Sequence, residues 1–172
     1  MVGFDEPVNE SLKDKLSRLA SVIPGYAGYV DRDRRRDADK RLRVRVADYL
    51  GEAVDQLQAL EARLSRELKL DDITEVDRAA SDVRAIRSRC EHAEYGASGI
   101  FDQEAIDSTK LAALYEHDLK LLELAEAVVE RSHKVATAAD EQTATELGAL
   151  ASAVAAFGNH LSARESLLAG SS

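Results

Sequence analysis

The chain has 172 residues, 45 % apolar and 32 % charged, with no tryptophan, two prolines and a net charge of −9. Few breakers, few aromatics and many Ala, Leu, Glu and Arg make a composition of long helices. The negative total argues against nucleic acid or anionic membrane being bound through bulk charge. That total hides an asymmetry: residues 31–46 hold eight basic residues and four aspartates, a local +4, which leaves −13 on the other 156.

Residues 1–8 read as a flexible tail, and 9–172 as a single helical-bundle domain. The opening MVGFDEPVNESLKDK has no basic stretch followed by an apolar one, so no signal peptide is expected. No run approaches about 18 apolar residues, so no membrane span is expected. A short helix is predicted over 9–21, with Leu12, Leu16 and Leu19 on one face and Asn9 or Ser11 as N-cap. Pro24 and Gly25 stop it, and IPGYAGY (23–29) reads as a turn.

A long helix is predicted over 31–68. Its apolar seam is Leu42, Val46, Leu50, Ala53, Leu57, Leu60, Leu64 and Leu68, with alternating steps of four and three residues from Val46 to Leu64. A third helix over 72–93 continues with Ile73, Val76, Ala80, Val83 and Cys90, and Arg87 interrupts its seam. EYGASGIFD (94–102) is a second break, with Asp102 as N-cap of a fourth helix over 103–135. A fifth helix, 140–168, presents Leu147, Leu150, Val154, Phe157, Leu161 and Leu168 after a break at 138–140. The expected fold is all-α, an antiparallel up-and-down four-helix bundle with a short extra N-terminal helix. The spacing also allows some seams to close on a second copy, as a homo-oligomer.

The most unusual stretch is VDRDRRRDADKRLRVRV (30–46). Before Leu42 it has almost no apolar stripe, so it is expected to project past the bundle or lie on its rim. Its charges suit a protein partner, nucleic-acid phosphates or lipid headgroups. Against this, Asp31–Arg35, Asp37–Arg41 and Asp39–Arg43 are i,i+4 pairs that would stabilise a solvated helix by roughly 0.2–0.5 kcal/mol each. Alternating helices should bring the loop of Tyr26 and Tyr29 beside that of Tyr95 and Phe101, as an aromatic plug or as anchors beside the basic segment. The candidate partner-binding residues are therefore Arg34, Arg35, Arg36, Lys40, Arg41, Tyr26, Tyr29 and Tyr95.

Catalytic chemistry finds little footing. No nucleophile elbow or Gly-rich phosphate loop is present. Only Glu130–His133 fits the Glu-x-x-His spacing of di-iron bundles, so neither metal nor cofactor is expected. Cys90 on its apolar stripe reads as an inert core thiol. Asp118, among Leu114, Leu121 and Leu122, reads as a buried carboxylate met by Arg87, Arg164 or Tyr115, with a metal or small-molecule site there as the remote alternative.

IPGYAGYVDRDRRRDADKRLR (23–43), together with EYGASGIFD (94–102) and LAALYEHDLKLLE (111–123), resembles an uncharacterised bacterial family of small helical-bundle proteins. Members are found near genes for SPFH-type and phage-shock-type membrane-stress proteins. The resemblance covers about a third of the chain and implies a helical bundle without established enzymatic activity. It favours a membrane-associated or stress-response assembly and assigns no catalytic residue. The function expected is a non-enzymatic interaction or scaffold protein, cytoplasmic or peripheral to the membrane, docking a protein through the basic segment and the aromatic loops. The alternative is direct binding of anionic lipid or nucleic acid by the same arginines.

Overall fold

The computed structural model describes residues 6–93 and 99–170, and these form helices and connecting turns without a strand. Five α-helices follow in order: α1 (Glu6–Val22), α2 (Arg35–Arg66), α3 (Leu70–Glu91), α4 (Ser108–Thr137) and α5 (Asp140–Ala169). Short 3-10 turns at Arg32–Arg34 and Ile100–Asp102 precede α2 and α4. Among the described residues no helix is long and apolar enough to cross a membrane.

The chain divides into two compact units. The first comprises Met1–Arg45, Ala93–Leu122 and His160–Ser172; the second comprises Val46–His92 and Glu123–Asn159. In the second unit the seam of α2 behaves as its spacing requires, with Val46, Leu50, Ala53, Leu57, Leu60 and Leu64 all buried. Val76, Ala80, Val83 and the free thiol Cys90 are the buried positions of α3. Arg87, which breaks the α3 seam, is half-buried; it pairs with Glu91 at 3.3 Å and lies over Gly51. A Cβ on Gly51 would sit 3.2 Å from the Arg87 guanidinium, so the small residue in α2 makes room for the large one in α3.

Most boundaries fall within two residues of expectation, and three helix starts differ by more, two of them for a visible local reason. The predicted helix over 31–68 begins instead with the 3-10 turn, because Asp31 is extended and its carboxylate accepts from the Asp33 N–H at 3.1 Å. Helix α4 starts at Ser108 rather than 103; Asp107 accepts from the Lys110 N–H at 2.9 Å, while Asp102 is held by Arg36. Helix α1 starts at Glu6, inside the stretch expected as tail.

Leu68, expected in the seam, is instead 80 % exposed with φ +58°, the positive φ of a non-glycine residue. The Lys69 N–H donates to the Leu64 carbonyl at 3.1 Å and the Leu68 N–H to the Ser65 carbonyl at 3.2 Å. These are the two bonds of a Schellman ending, with leucine at the position where glycine is preferred. The left-handed conformation costs a leucine about 1–2 kcal/mol, partly offset by the extra unfolded-state freedom glycine would bring. Leu68→Gly is expected to raise stability by about 0.5–1 kcal/mol, measured by urea unfolding of dilute protein. A lower stability would show that Leu68 gains packing its exposure does not reveal.

Candidate functional site

The first unit is organised around buried charged and aromatic groups, and those at the start of α2 were expected at the surface. Along the start of α2, Arg35, Ala38, Asp39 and Leu42 are all buried, at steps of three, one and three residues. The basic segment therefore does not project. It has an inward stripe, half of it charged, which a search for apolar periodicity passes over. Arg35, 1 % exposed, turns in and clamps the surrounding chain. Its Nε donates to the Tyr29 carbonyl at 2.8 Å, and Nη1 to the carbonyls of Gln103 at 2.6 Å and Phe101 at 3.3 Å. Burial, then the neighbouring Arg32, lowers its pKa from the usual arginine value. The expected Asp31–Arg35 pair is replaced by Asp31–Arg34 at 3.5 Å.

The turn before α2 is shaped by Gly25 (φ +73°) and Gly28 (φ +77°). At Gly28 a Cβ would fall 2.4 Å from the Tyr115 hydroxyl and 2.9 Å from Leu16, so both the angle and the space demand glycine. The Tyr115 hydroxyl there accepts from the Tyr29 N–H at 3.1 Å. Tyr29 stacks between Phe101 and Tyr115, at centroid separations of 5.4 and 5.7 Å, and meets Tyr26 edge-on. The aromatic plug is thus formed, with Tyr26 and Tyr29 buried inside it rather than displayed as anchors. Tyr95 lies outside the described residues.

Behind the plug lies Asp118 of α4, with no exposure. One carboxylate oxygen accepts from the Tyr26 hydroxyl at 3.2 Å and from the Tyr29 hydroxyl; the other accepts from Arg164 Nε at 2.6 Å. The Arg164 guanidinium, equally buried in α5, also donates from Nη2 to the Tyr29 hydroxyl at 3.1 Å. The same Nη2 lies 2.9 Å from Asp39 Oδ1, close enough for ion pairing but without hydrogen-bond alignment. Asp39 Oδ2 accepts from Arg43 Nε at 2.9 Å. The charges of Asp118 and Asp39 are thus met by Arg164, fully buried, and by Arg43, partly buried. Burial first, and the Asp118 charge second, push Tyr26 and Tyr29 above the usual tyrosine value, so both remain protonated donors. Burial likewise raises the Asp118 carboxyl, with Arg164 pulling it back.

Beside this network His117 and His160 stack at 4.8 Å, and His160 Nε2–H donates to the His117 carbonyl at 2.8 Å. Burial, then His160, depresses the His117 imidazole below its ordinary 6.5.

The remaining basic candidates are at the surface. Arg34, Arg36, Lys40 and Arg41 are exposed. Arg36 pairs with Asp102 at 2.8 Å; Arg41 pairs with Asp37 at 2.7 Å and donates to the Pro24 carbonyl at 3.1 Å. Of the partners foreseen for Asp118, Arg164 is its ion-pair partner. The roles of Arg35 and Asp39 were missed; the only sequence signal was their spacing with Ala38 and Leu42.

With both Asp118 oxygens taken by protein donors and no exposure, this carboxylate positions helices and has no free face for a substrate. Among the described residues no three His, Cys, Asp or Glu side chains converge as metal ligands. No family model, curated protein or solved structure matches the chain.

Removing one member of a buried ion pair strands the other, at a cost of about 3–5 kcal/mol. Asp118→Ala and Arg164→Ala are each expected to destabilise by that amount, and the double variant by less than their sum, as read by a urea double-mutant cycle. The depressed His117 favours the neutral form in the folded state. Its stabilising contribution is complete above pH 6.5 and is lost as pH falls through 6.5 toward the depressed folded value. Urea midpoints are expected to fall between about pH 7.5 and about pH 5.5, with a smaller fall in His117→Leu. Equal falls in both proteins would assign the loss to other groups.

Proposed function

We propose that the chain is a non-enzymatic helical interaction or scaffold protein that docks a protein partner through the outer face of residues 30–44. The observation that carries this reading is the division of labour within one short segment. Arg35 is fixed from inside by three backbone carbonyls, while the residues around it face out. Arg36, Lys40 and Val44 follow one another at i, i+4 and i+8, with Arg41 alongside and Arg32 and Arg34 on the preceding turn, all exposed. Val30, 69 % exposed, and Val44, 51 % exposed, add apolar contacts. A charged ridge on a clamped base loses little freedom on binding, which favours affinity.

Tyr26, Tyr29 and Arg35 serve this surface from behind and are not contacts of the partner. An antiparallel four-helix bundle with α1 as an added element is the scaffold this reading assumes. A cytoplasmic place at a membrane-stress assembly accords with the family resemblance in the loops.

A protein is preferred to a polyanion because acids are interleaved with the bases. Arg34, Arg36 and Arg41 each already face an aspartate, which weakens the field offered to phosphates. The second reading, anionic lipid or nucleic acid, draws on Arg32 and Lys40, which make no ion pair among the described residues.

Capture from native lysate by wild type and by Arg32→Glu/Arg34→Glu/Lys40→Glu tests this reading. These three residues are exposed and make no contact with the buried network, so circular dichroism should be unchanged. A specific partner is expected to be lost at least tenfold in the triple variant and kept by the corresponding lysine substitutions at 32 and 34. Retention of every captured protein by the triple variant would remove this surface. Steeply salt-dependent binding to anionic vesicles or to nucleic acid, lost in the same variant, would favour the second reading.

A further inference from the structure

Two features of the second unit are unexplained by its own folding. One is the tip of the α2–α3 hairpin, where Leu68 is 80 % exposed and Leu70 is 70 % exposed. Single exposed leucines are ordinary. This pair is not, because Leu68 also occupies the left-handed conformation at a helix ending where glycine would relieve the chain. The side chain therefore costs stability and gains little burial within its own unit. Arg66, one turn back, is exposed and makes no ion pair among the described residues.

The other feature is a cleft between α3 and α5 with a volume of about 260 Å³. Its walls are Ala79, Leu147, Gly148, Ala151 and Val154, small or apolar residues that leave the cleft open. At Gly148 an added Cβ would meet nothing within 4 Å. An apolar cavity of about 150 Å³ is enough to take a benzene ring, so this cleft can receive branched aliphatic side chains. Glu75 and Asp82 stand at its α3 edge on either side of Arg78, also without ion pairs among the described residues, which leaves that edge with one net negative charge.

We propose that the cleft receives the hairpin tip of a second copy of this chain, with Leu68 and Leu70 as the knob and Arg66 meeting Glu75 or Asp82 at the edge. Knob and socket share α3: Leu70 opens that helix and Glu75 to Asp82 follow within three turns. At about 1.5 Å per residue, the tip lies about 15 Å from the middle of the socket. Two α3 helices running antiparallel can then exchange tips about a twofold axis, each copy giving a knob and receiving one. This is the self-complementary contact that a two-fold dimer requires. The second unit carries 17 acidic and nine basic residues, a net −8. That repulsion opposes the pairing and keeps it weak, so the dimer forms at high local concentration.

The test is sedimentation equilibrium of the full chain up to about 1 mM, in moderate salt. Wild type is expected to dimerise reversibly with a Kd between about 10 µM and about 1 mM. Leu68→Gly/Leu70→Ser removes the knob, and its first change relieves the backbone. Gly148→Phe fills the socket at a position with open space. Each is expected to weaken association at least tenfold while circular dichroism stays unchanged. An equal mixture of the two variants restores one knob in one socket and should associate measurably more than either alone. A chain that stays monomeric throughout the range overturns the proposal, as does a dimer indifferent to both variants or a mixture that gains nothing. The docking surface at residues 30–44 is untouched by these changes, so either outcome leaves it to its own test.

Discussion

The first unit depends on the buried pairing of Arg164 with Asp118. Neither side chain reaches water, and each is held by more than the other: Asp118 by the hydroxyls of Tyr26 and Tyr29, Arg164 by Tyr29 and Asp39. Such a pair adds little net stability over well-packed apolar residues of the same volume. What it contributes is placement. The turn before α2 sends two hydroxyls to the same point, and the first turns of α2, the first half of α4 and the end of α5 send one charged group each. A shift of any of these segments by one residue would strand a charge in the interior. The aromatic stack of Phe101, Tyr29 and Tyr115 closes over this point. Gly28 is fixed because the Tyr115 hydroxyl occupies the space a side chain would need.

The eight basic residues of 31–46 are consequently not one surface. Arg35 and Arg43 are structural, one gripping backbone carbonyls and the other neutralising Asp39. Arg45 is half-buried, and Arg32, Arg34, Arg36, Lys40 and Arg41 remain outside. Charge reversal at Arg35 would remove the clamp and expose nothing of binding. An experiment that treats the arginines as equivalent would confuse loss of structure with loss of contact.

Much of the helical layout was legible from apolar spacing. The seam from Val46 to Leu64 is buried throughout, and the aromatic residues Tyr29 and Phe101 do meet across two loops. Asp118 and Arg164 were also readable, because a charge among leucines on one helix face needs an opposite charge nearby. The start of α2 was not legible. Its inward stripe is Arg35, Ala38, Asp39 and Leu42, and a periodicity search scores two of those four as solvent-facing. Leu68 failed for the converse reason: its spacing continues the seam, but the Schellman bonds end the helix two residues earlier and turn it outward. Side-chain polarity predicts exposure only where no partner group is held inside, and here the partners are the carbonyls of Tyr29, Phe101 and Gln103 for Arg35, and Arg164 of α5 with Arg43 for Asp39.

Cys90 gives the second unit a chemical clock. It is the single cysteine of the chain, fully buried in α3 beneath the seam that Val76, Ala80 and Val83 begin. A thiol reagent reaches it only when that part of α3 separates from its neighbours. The labelling rate under native conditions therefore reports the opening free energy of one helix, without engineering or interference from a second thiol. Opening confined to α3 would label faster than global unfolding allows, whereas a rate equal to global unfolding would show that α3 opens only with the rest of its unit.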